Sequence, residues 1–329
     1  MSTSPQVTVL MTVYNGARYV AEAIDSIVGQ TFSDFELLII DDGSTDDSLA
    51  VIRRYSDARI RLIEQSPNRG IRATLNRGLG EARGRYIAIM DQDDIAAPER
   101  LARQTALLDA QPAVGLCGSD IETFGEKTGA SWIRHFAPEA LRIALLFENP
   151  ICHPSVMLRR QVLVDSKLEY PEFPYAEEYA LWVRISRQHQ LVNLPQKLLR
   201  YRTHPQQISR RKSEIQCRSA DAVVHEQLQT LGIAASPREM IVHRMFGESF
   251  NPLPRYRQLM ERWATRLLDA NRDRRVYPPG DFAIQVQERL TSGTRLVRNR
   301  LDAMSLPRRV AWRFAVWRDY RRAGQTSSA

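Results

Sequence analysis

Short apolar runs alternate with amphipathic stretches over the first third of the chain, and this alternation limits the fold more than any other feature of the sequence. The runs have the length and composition of buried strands and lie at residues 7–13, 35–40, 60–64, 86–90 and 114–118. The stretches between them have helical periodicity and lie at 18–28, 46–55, 70–82 and 98–110. Strands that alternate with helices predict βαβ units, so we expect an α/β fold with a mostly parallel central sheet.

Beyond residue 118 the alternation becomes irregular. We predict a hairpin over 121–136, a helix over 138–147, a strand over 155–159, a helix from 177 to about 189 and a strand over 197–202. From Ser209 onward the sequence predicts helices separated by breaks that contain proline or glycine, such as Pro278-Pro279-Gly280. We place a domain boundary near residue 210, with a helical and basic extension over 211–329.

Two acidic clusters follow strands of the predicted sheet. Asp41-Asp42-Gly43-Ser44 comes after the run 35–40, and Asp91-Gln92-Asp93-Asp94 comes after 86–90. Because the carboxyl ends of parallel strands form the ligand crevice of an open sheet, we expect a nucleotide and a divalent cation there. One loop can present both Asp91 and Asp93 to a hard cation such as Mg or Mn. Ordinary turn and capping chemistry remains the alternative interpretation of either cluster taken alone.

Several classes of protein are disfavoured by what the sequence lacks. Tyr14-Asn15-Gly16 follows the first strand, where a dinucleotide-binding domain would carry Gly-x-Gly-x-x-Gly, and there is no Walker-type Gly-Lys-Ser/Thr. The three cysteines, Cys117, Cys152 and Cys217, form no Cys-x-x-Cys pair, which argues against a disulfide framework or a zinc site. No apolar run approaches the roughly 20 residues of a membrane-spanning helix. We therefore expect a cytoplasmic protein.

The net charge of +8 is unevenly distributed. Residues 1–150 carry 15 basic and 21 acidic side chains, and the remainder carries 31 and 17. Such a basic part suits nucleic acid, an anionic membrane surface or a phosphorylated substrate. In the tail, 294–322, arginines are interleaved with tryptophan, phenylalanine and valine. We expect this tail either to make a peripheral contact with the cytoplasmic membrane face or to pack on the preceding domain.

Seven segments in their order along the chain resemble glycosyltransferase family 2, the inverting sugar-nucleotide enzymes of the GT-A fold. They are VLMTVYNG at 9–16, IIDDGSTD at 39–46, NRG at 68–70, MDQDD at 90–94, HPSVM at 153–157, AEEYALW at 176–182 and YRTH at 201–204. The resemblance covers about residues 5 to 210. It implies a GT-A domain over 1–210 with a mostly parallel central sheet.

The resemblance also implies roles for individual residues on the donor side. Its nucleotide-binding positions correspond here to Thr12, Tyr14, Asn15, Asp41, Asn68, Arg69 and Asp91. Asp93 corresponds to the direct metal ligand, and His204 corresponds to a residue that reaches back to the diphosphate or the metal, with Mn or Mg as the cofactor. Because Asn68-Arg69-Gly70 begins a helix, its free backbone N–H groups would favour an anion.

On the acceptor side the family usually has Glu-Asp where this chain has Glu177-Glu178. Alignment with the following Tyr179 to Trp182 gives Glu178 the position of the general base, and Glu177 remains its rival. The alternative is that both carboxylates only stabilise the helix dipole. His153, Ser155 and Trp182 would line the acceptor side.

The resemblance therefore predicts an inverting transfer of a sugar from a nucleotide-diphospho-sugar to a hydroxyl group. UDP-sugars are the commonest donors among relatives, with GDP- and dTDP-sugars as alternatives. The acceptor would be a saccharide or a lipid-linked molecule in cell-surface polysaccharide or glycolipid synthesis, and no nucleic-acid partner is expected. A different interpretation is a catalytically inactive basic scaffold that binds nucleic acid or a protein. A nucleotidyltransferase would need a glycine-rich phosphate loop in place of Tyr14-Asn15-Gly16.

Overall fold

The computed structural model describes residues 4–129, 137–247 and 254–303. The chain divides into two compact units, of which the first comprises Met1–Leu141 and Pro150–Ser219 and the second comprises Arg142–Asn149 and Ala220–Ala329. The part of the tail at 304–329, for which a membrane contact is predicted, lies outside the described residues.

The first unit contains one eight-stranded sheet in the described part of the chain. Its strands are β1 (Val7–Val13), β2 (Phe35–Asp41), β3 (Ile60–Glu64), β4 (Tyr86–Asp91), β5 (Ile95–Ala96), β6 (Val114–Gly125), β7 (Met157–Arg159) and β8 (Gln190–Thr203). Their order is β3-β2-β1-β4-β7-β6-β8-β5. Neighbouring strands among β1 to β4 pair in parallel, as do β6 and β8, whereas β7 and β5 run antiparallel to their neighbours. The predicted α/β fold with a mostly parallel sheet is confirmed.

The helices of the first unit are α1 (Val20–Val28), α2 (Ser48–Ile52), α3 (Ile71–Glu81), α4 (Arg100–Ala110), α5 (Pro138–Ala144), α6 (Arg160–Asp165), α7 (Glu177–Ile185) and α8 (Ile208–Arg211). α5 and the next helix, α9 (Ser213–Thr230), run across the division between the units. Helices cover both faces of the central strands, which is why all seven residues of β2 are buried. In α1 the buried positions Val20, Ala23, Ile24 and Ile27 follow the helical repeat.

Strand β6 is longer than the sequence indicates. It continues from Val114 to Gly125 because it pairs in parallel with β8, a partner that lies far along the chain. Residues 121–125 of the predicted hairpin therefore belong to this strand, and residues 130–136 lie outside the described residues.

The second unit consists of helices around the segment Arg142–Asn149. They are the remainder of α9 with α10 (Pro237–Gly247), α11 (Pro254–Arg274) and α12 (Pro279–Ala303). His243 is buried and holds this segment, because its Nε2 lies 2.8 Å from the carbonyl oxygen of Leu146 while the indole N–H of Trp263 donates to its Nδ1 at 3.0 Å. Burial lowers the pKa of His243 to about 4, so the ring is neutral at pH 7. Among the described residues, no helix combines the length and the apolar character needed to cross a bilayer.

Candidate active site

The ends of three neighbouring parallel strands bring predicted site residues together. Val13 of β1 is in register with Asp41 of β2, and Thr12 is in register with Asp91 of β4. Asp41 and Asp91 therefore flank the end of β1 at the carboxyl edge of the sheet, where open α/β sheets bind their ligands.

The loop after β1 is joined to the loop after β2. The Asn15 N–H donates to Ser44 Oγ at 3.0 Å, and Asn15 Oδ1 accepts from the Thr45 N–H at 2.8 Å. Asn15 has a φ of 49°, in the left-handed region that asparagine tolerates better than most residues. Tyr14 beside it is 47% exposed, so its ring is accessible to a ligand.

Asp41 is almost fully buried, and only one of its carboxylate oxygens has a partner in the described part of the chain. Oδ2 accepts from the Ser44 N–H at 3.0 Å, whereas the buried Oδ1 has no hydrogen-bond partner. Leaving a buried acceptor unpaired costs free energy, so this oxygen is suited to accept a hydrogen bond from a ligand.

Asp42 fixes the segment 68–70 at the start of α3. Its carboxylate accepts from the N–H groups of Arg69 at 2.8 Å and Gly70 at 2.9 Å, and its carbonyl oxygen accepts from Asn68 Nδ2 at 2.9 Å. These two N–H groups are therefore engaged by a carboxylate within the protein, which corrects the expectation that they are free to bind an anion. Asn68 and Arg69 are exposed and offer a ligand their side chains instead.

Three aspartates at the end of β4 and in the loop that follows it converge. One carboxylate oxygen each from Asp91, Asp93 and Asp94 lie within 4.8 Å of one another. Burial and the charge of Asp93 raise the pKa of Asp91 to about 7, and burial raises the pKa of Asp94 well above its usual range. Asp94 Oδ2 is buried and has no hydrogen-bond partner among the described residues. Crowded carboxylate oxygens with an unused acceptor suit a hard divalent cation, so these residues fit Mg²⁺ or Mn²⁺.

The end of β8 holds this acidic loop in place. His204 Nε2 lies 2.8 Å from Asp93 Oδ2, and this hydrogen bond raises the pKa of His204. Arg202 donates from Nε to the carbonyl oxygen of Asp93 at 2.7 Å and from its backbone N–H to Asp94 Oδ1 at 2.8 Å. In this arrangement His204 orients the carboxylate of Asp93, and direct binding of a cation would require it to give up that hydrogen bond.

Gln92 joins the acidic loop to the loop after β1, a contact that sequence reasoning missed. Its Oε1 accepts from the Tyr14 N–H at 2.9 Å, and its Nε2 donates to the Tyr14 carbonyl oxygen at 3.2 Å. Gly16 leaves room for this side chain, because a Cβ there would lie 2.3 Å from Gln92 Oε1. The two loops are therefore held in one arrangement by a single side chain.

Arg100 is a second residue that sequence reasoning missed. Its side chain is fully buried in α4, where Nη2 donates to the carbonyl oxygens of Ile89 at 2.7 Å and Val156 at 3.2 Å. Burial lowers its pKa to about 10, while the charges of Asp94 and Asp91 act in the opposite direction. The guanidinium is therefore a fixed positive charge behind the acidic cluster. The signal in the sequence was an arginine next to Leu101 and four residues before Gln104, on the face of α4 that is buried.

Glu177 and Glu178 occupy the first turn of α7, as the sequence predicts. Glu178 keeps part of its surface exposed, and burial of the rest, with the charges of Glu177 and Asp91, raises its pKa to about 8. Glu177 is 5% exposed, its Oε2 has no hydrogen-bond partner among the described residues, and burial raises its pKa. Of the two carboxylates, Glu178 is the more accessible.

His153 lies between the acidic loop and α7. Its Nε2 is 3.0 Å from the hydroxyl oxygen of Tyr170, and its Nδ1 is 3.9 Å from Asp91 Oδ1. Burial lowers the pKa of His153 to about 4, so the ring is neutral at pH 7. Tyr170 had no assigned role in the sequence, and it fixes which way the imidazole points.

Ser155 and Trp182 are fully buried, whereas residues that line an open binding site would be exposed. Ser155 Oγ donates to the Cys152 carbonyl oxygen at 2.8 Å and accepts from the Ser119 N–H at 3.3 Å, so its hydroxyl closes a turn. The ring of Trp182 lies 6.1 Å from that of His153. Neither side chain is exposed to a ligand, which corrects the expectation that both residues line the acceptor side.

Comparison with protein-family models shows a match to "Glycosyl transferase family 2" over residues 8–166. An uncharacterised glycosyltransferase of Haemophilus influenzae is 34% identical over 241 residues, which are 69% of this chain and 75% of that protein. The succinoglycan biosynthesis protein ExoO of Rhizobium meliloti is 32% identical over 189 residues, 54% of this chain and 54% of its own length.

Solved structures show the same fold at low sequence identity. S. aureus TarS 1–349 in complex with UDP-GlcNAc has a TM-score of 0.58 and 16% identity, over 92% of this chain and 93% of that chain. The mannosyltransferase PcManGT from Pyrobaculum calidifontis in complex with GDP-Man and Mn²⁺ has a TM-score of 0.52 and 18% identity, over 97% and 83%. The fold and these likenesses define a glycosyltransferase of the GT-A fold. The chain belongs to glycosyl transferase family 2.

Proposed function

We propose that this glycosyltransferase transfers a sugar, with inversion, from a nucleotide-diphospho-sugar to a hydroxyl group in cell-surface polysaccharide or glycolipid synthesis. The proposal rests on the proximity of an acidic cluster, Asp91, Asp93 and Asp94, to the partly exposed Glu178. The charge of Asp91 contributes to the raised pKa of Glu178. The likeness to TarS, solved with UDP-GlcNAc, supports a UDP-sugar, and that to PcManGT leaves a GDP-sugar as the alternative. ExoO, a succinoglycan biosynthesis protein, supports a polysaccharide product.

The nucleotide would lie along the ends of β1 and β2. The unpaired Oδ1 of Asp41 is suited to accept a hydrogen bond from a nucleobase N–H, and the exposed ring of Tyr14 offers a surface for the base. Thr12, Asn15 and Asp91 border the same edge, where Asp91 would contact the ribose or the sugar. The exposed side chains of Asn68 and Arg69 complete this side, and the arginine suits a phosphate.

Asp93 would hold a divalent cation, Mn or Mg, with Asp91 and Asp94 beside it and His204 orienting the Asp93 carboxylate. When bound, such a cation offsets the negative charge of the departing nucleoside diphosphate. Arg202 and Arg100 support this cluster from within the protein. Arg202 donates to the carbonyl oxygen of Asp93 in the loop, and Arg100 donates to the carbonyl oxygen of Ile89 near the end of β4.

Glu178 would act as the general base. As the acceptor oxygen attacks the anomeric carbon from the face opposite the leaving group, Glu178 takes the hydroxyl proton and the bond to the diphosphate breaks. A single displacement of this kind inverts the anomeric configuration. A carboxylate whose pKa is about 8 is a stronger base than an ordinary glutamate and is still ionised in part at neutral pH. Neutral His153 would face the acceptor without competing for the proton.

A donor screen tests the proposed function. The purified full chain is incubated with UDP-, GDP- and dTDP-sugars in Mn²⁺, Mg²⁺ or chelator, and the released nucleoside diphosphate is measured. We expect slow hydrolysis of one donor class with a divalent cation and none in chelator. Absence of turnover with every donor, together with tight binding of nucleic acid, would favour the inactive basic scaffold instead.

A further inference from the structure

The segment Ile208–Ile215 is unusual because every one of its residues is exposed, although it spans α8 and the start of α9. Ile208 is 52% exposed and Ile215 is 42% exposed. Helices of a folded unit normally bury such side chains, and isoleucine is among the residue types most often buried. Exposed isoleucines at both ends of a short basic segment are consistent with an amphipathic surface.

The charge of this segment limits what can cover it. Arg210, Arg211 and Lys212 are consecutive, Arg218 follows, and Glu214 is the only acidic residue from 208 to 218. Arg210 is paired with Glu126, and Arg218 lies 4.0 Å from Glu214. In the described part of the chain, Arg211 and Lys212 form no ion pair within 4.0 Å. These charges favour an anionic partner.

Two occupants from the chain itself are disfavoured by the same argument. The tail at 304–329 contains six arginines and one aspartate, so it carries the same sign of charge as the segment. A second copy that used this surface would bring like charges together. Nucleic acid has the right charge, but it would leave the two isoleucines without an apolar environment. An anionic bilayer surface satisfies both features, since its phosphates attract the basic residues and its acyl boundary accepts the isoleucines.

Both ends of the segment are tied to parts of the candidate active site. Gln207 precedes it, where Oε1 accepts from the His204 N–H at 3.1 Å and Nε2 donates to the Arg202 carbonyl oxygen at 2.6 Å. Gln216 follows it and donates to the Tyr175 carbonyl oxygen at 3.0 Å, two residues before Glu177. The segment therefore connects the turn that holds Asp93 to the loop that precedes the proposed base.

We propose that Ile208–Ile215 docks on an anionic lipid surface and thereby places the rim of the active site at the bilayer, so that the acceptor is lipid-linked. The choice of acceptor rests on the proposed function, whereas the docking itself does not. It is also separate from any contact made by the tail, because the residues that carry it lie in the first unit.

Vesicle flotation tests the docking with the full chain at low and high salt. Wild-type protein should float with phosphatidylcholine vesicles that contain phosphatidylglycerol, and should not float with phosphatidylcholine alone. Arg211→Gln with Lys212→Gln should lower the partition coefficient about 25-fold, since each basic residue near an anionic bilayer contributes about fivefold. Ile208→Ser with Ile215→Ser should lower it about tenfold, since each apolar side chain would leave the interface.

Matched control variants use exposed residues elsewhere. Ile284→Ser replaces an isoleucine that is 58% exposed, and Lys167→Gln with Arg187→Gln removes two exposed charges from the first unit. Both controls should bind vesicles as wild type does. All variants should hydrolyse the donor normally without vesicles, because none lies in the catalytic machinery.

If both segment variants bound vesicles as tightly as wild-type protein does, the docking would be overturned. Any vesicle contact would then belong to another surface. No binding of wild type to anionic vesicles would overturn it as well. A loss with the charge variant but not with the isoleucine variant would overturn the docking as proposed, because the vesicle contact would then be electrostatic alone and would not bury the isoleucines. Because donor hydrolysis is measured separately, a failure of the proposed function would be visible independently of these outcomes.

Discussion

Glu177 and Glu178 are adjacent carboxylates in one helical turn, but their surroundings differ. Glu177 is nearly inaccessible, with one oxygen unpaired among the described residues, whereas Glu178 is partly exposed and close enough to Asp91 to feel its charge. Because a base must contact the acceptor hydroxyl, accessibility decides between them. This is the physical reason to prefer Glu178, beyond the alignment that first indicated it.

Substitution of these two residues tests the assignment. Glu178→Gln should reduce sugar transfer by several orders of magnitude while leaving the Kd for the donor nucleotide within about twofold, since the base acts on the acceptor. Glu177→Gln is the matched variant and should retain most of the activity. Transfer rates and calorimetric nucleotide binding measure both. Loss of activity in Glu177→Gln alone would mean that the roles are shifted by one residue.

Asp93 is the residue on which cation binding depends most in this account. Asp93→Asn should lower turnover by at least about a hundredfold and weaken Mn²⁺ binding in calorimetry, because a charged ligand oxygen is lost. It should leave the melting temperature nearly unchanged, because the asparagine oxygen can still accept from His204 and one repulsive charge is removed from the cluster. Asp47→Asn, at an exposed aspartate that makes no capping hydrogen bond, is the control. Full activity of Asp93→Asn in chelator would rule out the metal site.

Among the secondary-structure elements, the loops that follow β1 and β4 are joined by Gln92. Its side chain forms hydrogen bonds with both the N–H and the carbonyl oxygen of Tyr14. Tyr14 and Asn15, two of the proposed nucleotide contacts, lie on the first loop, and the proposed cation ligands lie at the end of β4 and on the second loop. A rigid connection between them should make the binding of nucleotide and cation mutually favourable, since binding one ligand orders the loop that the other needs.

Gln92→Ala should therefore reduce the enhancement of nucleotide affinity by Mn²⁺, about fivefold or more, with a smaller effect on nucleotide affinity in chelator. Calorimetric titration with and without the cation measures this coupling. Gly16→Ala should cause a similar loss, because its Cβ would collide with Gln92 Oε1. In the Gln92→Ala background Gly16→Ala should add little. Additive losses in the double variant would mean that Gly16 acts independently of Gln92.

Strands and helices could be predicted from the sequence where the hydrophobic pattern depends only on neighbouring residues. The strands β1 to β4 and the helices between them appear within a few residues of their predicted bounds, because buried parallel strands and amphipathic helices have distinct periods. The full length of β6 was not predictable, because it depends on β8 about 70 residues later.

The same distinction applies to the site. The acidic turns could be located because they follow strands directly. The contacts of Gln92, Arg100 and Tyr170 could not, since each joins groups that are distant in sequence or buries a polar side chain that the hydrophobic pattern treats as exposed. The burial of Ser155 was missed for the same reason, because its hydroxyl is satisfied by backbone groups of other turns.

At the scale of the whole molecule, the site makes stability depend on pH. Glu178 and Asp91 have pKa values of about 8 and 7 in the folded protein, well above those of an unfolded chain. The folded state therefore binds their protons more tightly, so the free energy of unfolding falls as pH rises toward 8. The buried rings of His153 and His243, whose pKa values are about 4, oppose this trend near pH 6.5, because an unfolded histidine still binds protons there. Above about pH 7.5 both rings are essentially neutral in the folded and the unfolded state, and the trend set by Glu178 remains.

Urea unfolding of metal-free protein between about pH 7.5 and 8.5 should thus show a declining free energy of unfolding. The contribution of Glu178 is about 1 kcal/mol per pH unit over the lower part of this range. Glu178→Gln should reduce the slope by that amount, whereas Glu64→Gln, at an exposed carboxylate, should leave it unchanged. A slope that is equally steep in Glu178→Gln would show that this carboxylate is ionised in the folded protein at neutral pH.

We propose that the carboxyl edge of the sheet carries out an inverting displacement on a sugar nucleotide. Proton NMR during hydrolysis of the donor identified by the screen tests it directly, because the first sugar released reports the stereochemistry before mutarotation. With an α-linked donor and Mn²⁺ or Mg²⁺, we expect wild-type protein to release the β-anomer first and to release no sugar in chelator. Initial release of the α-anomer, or release that is unaffected by chelator, would contradict it.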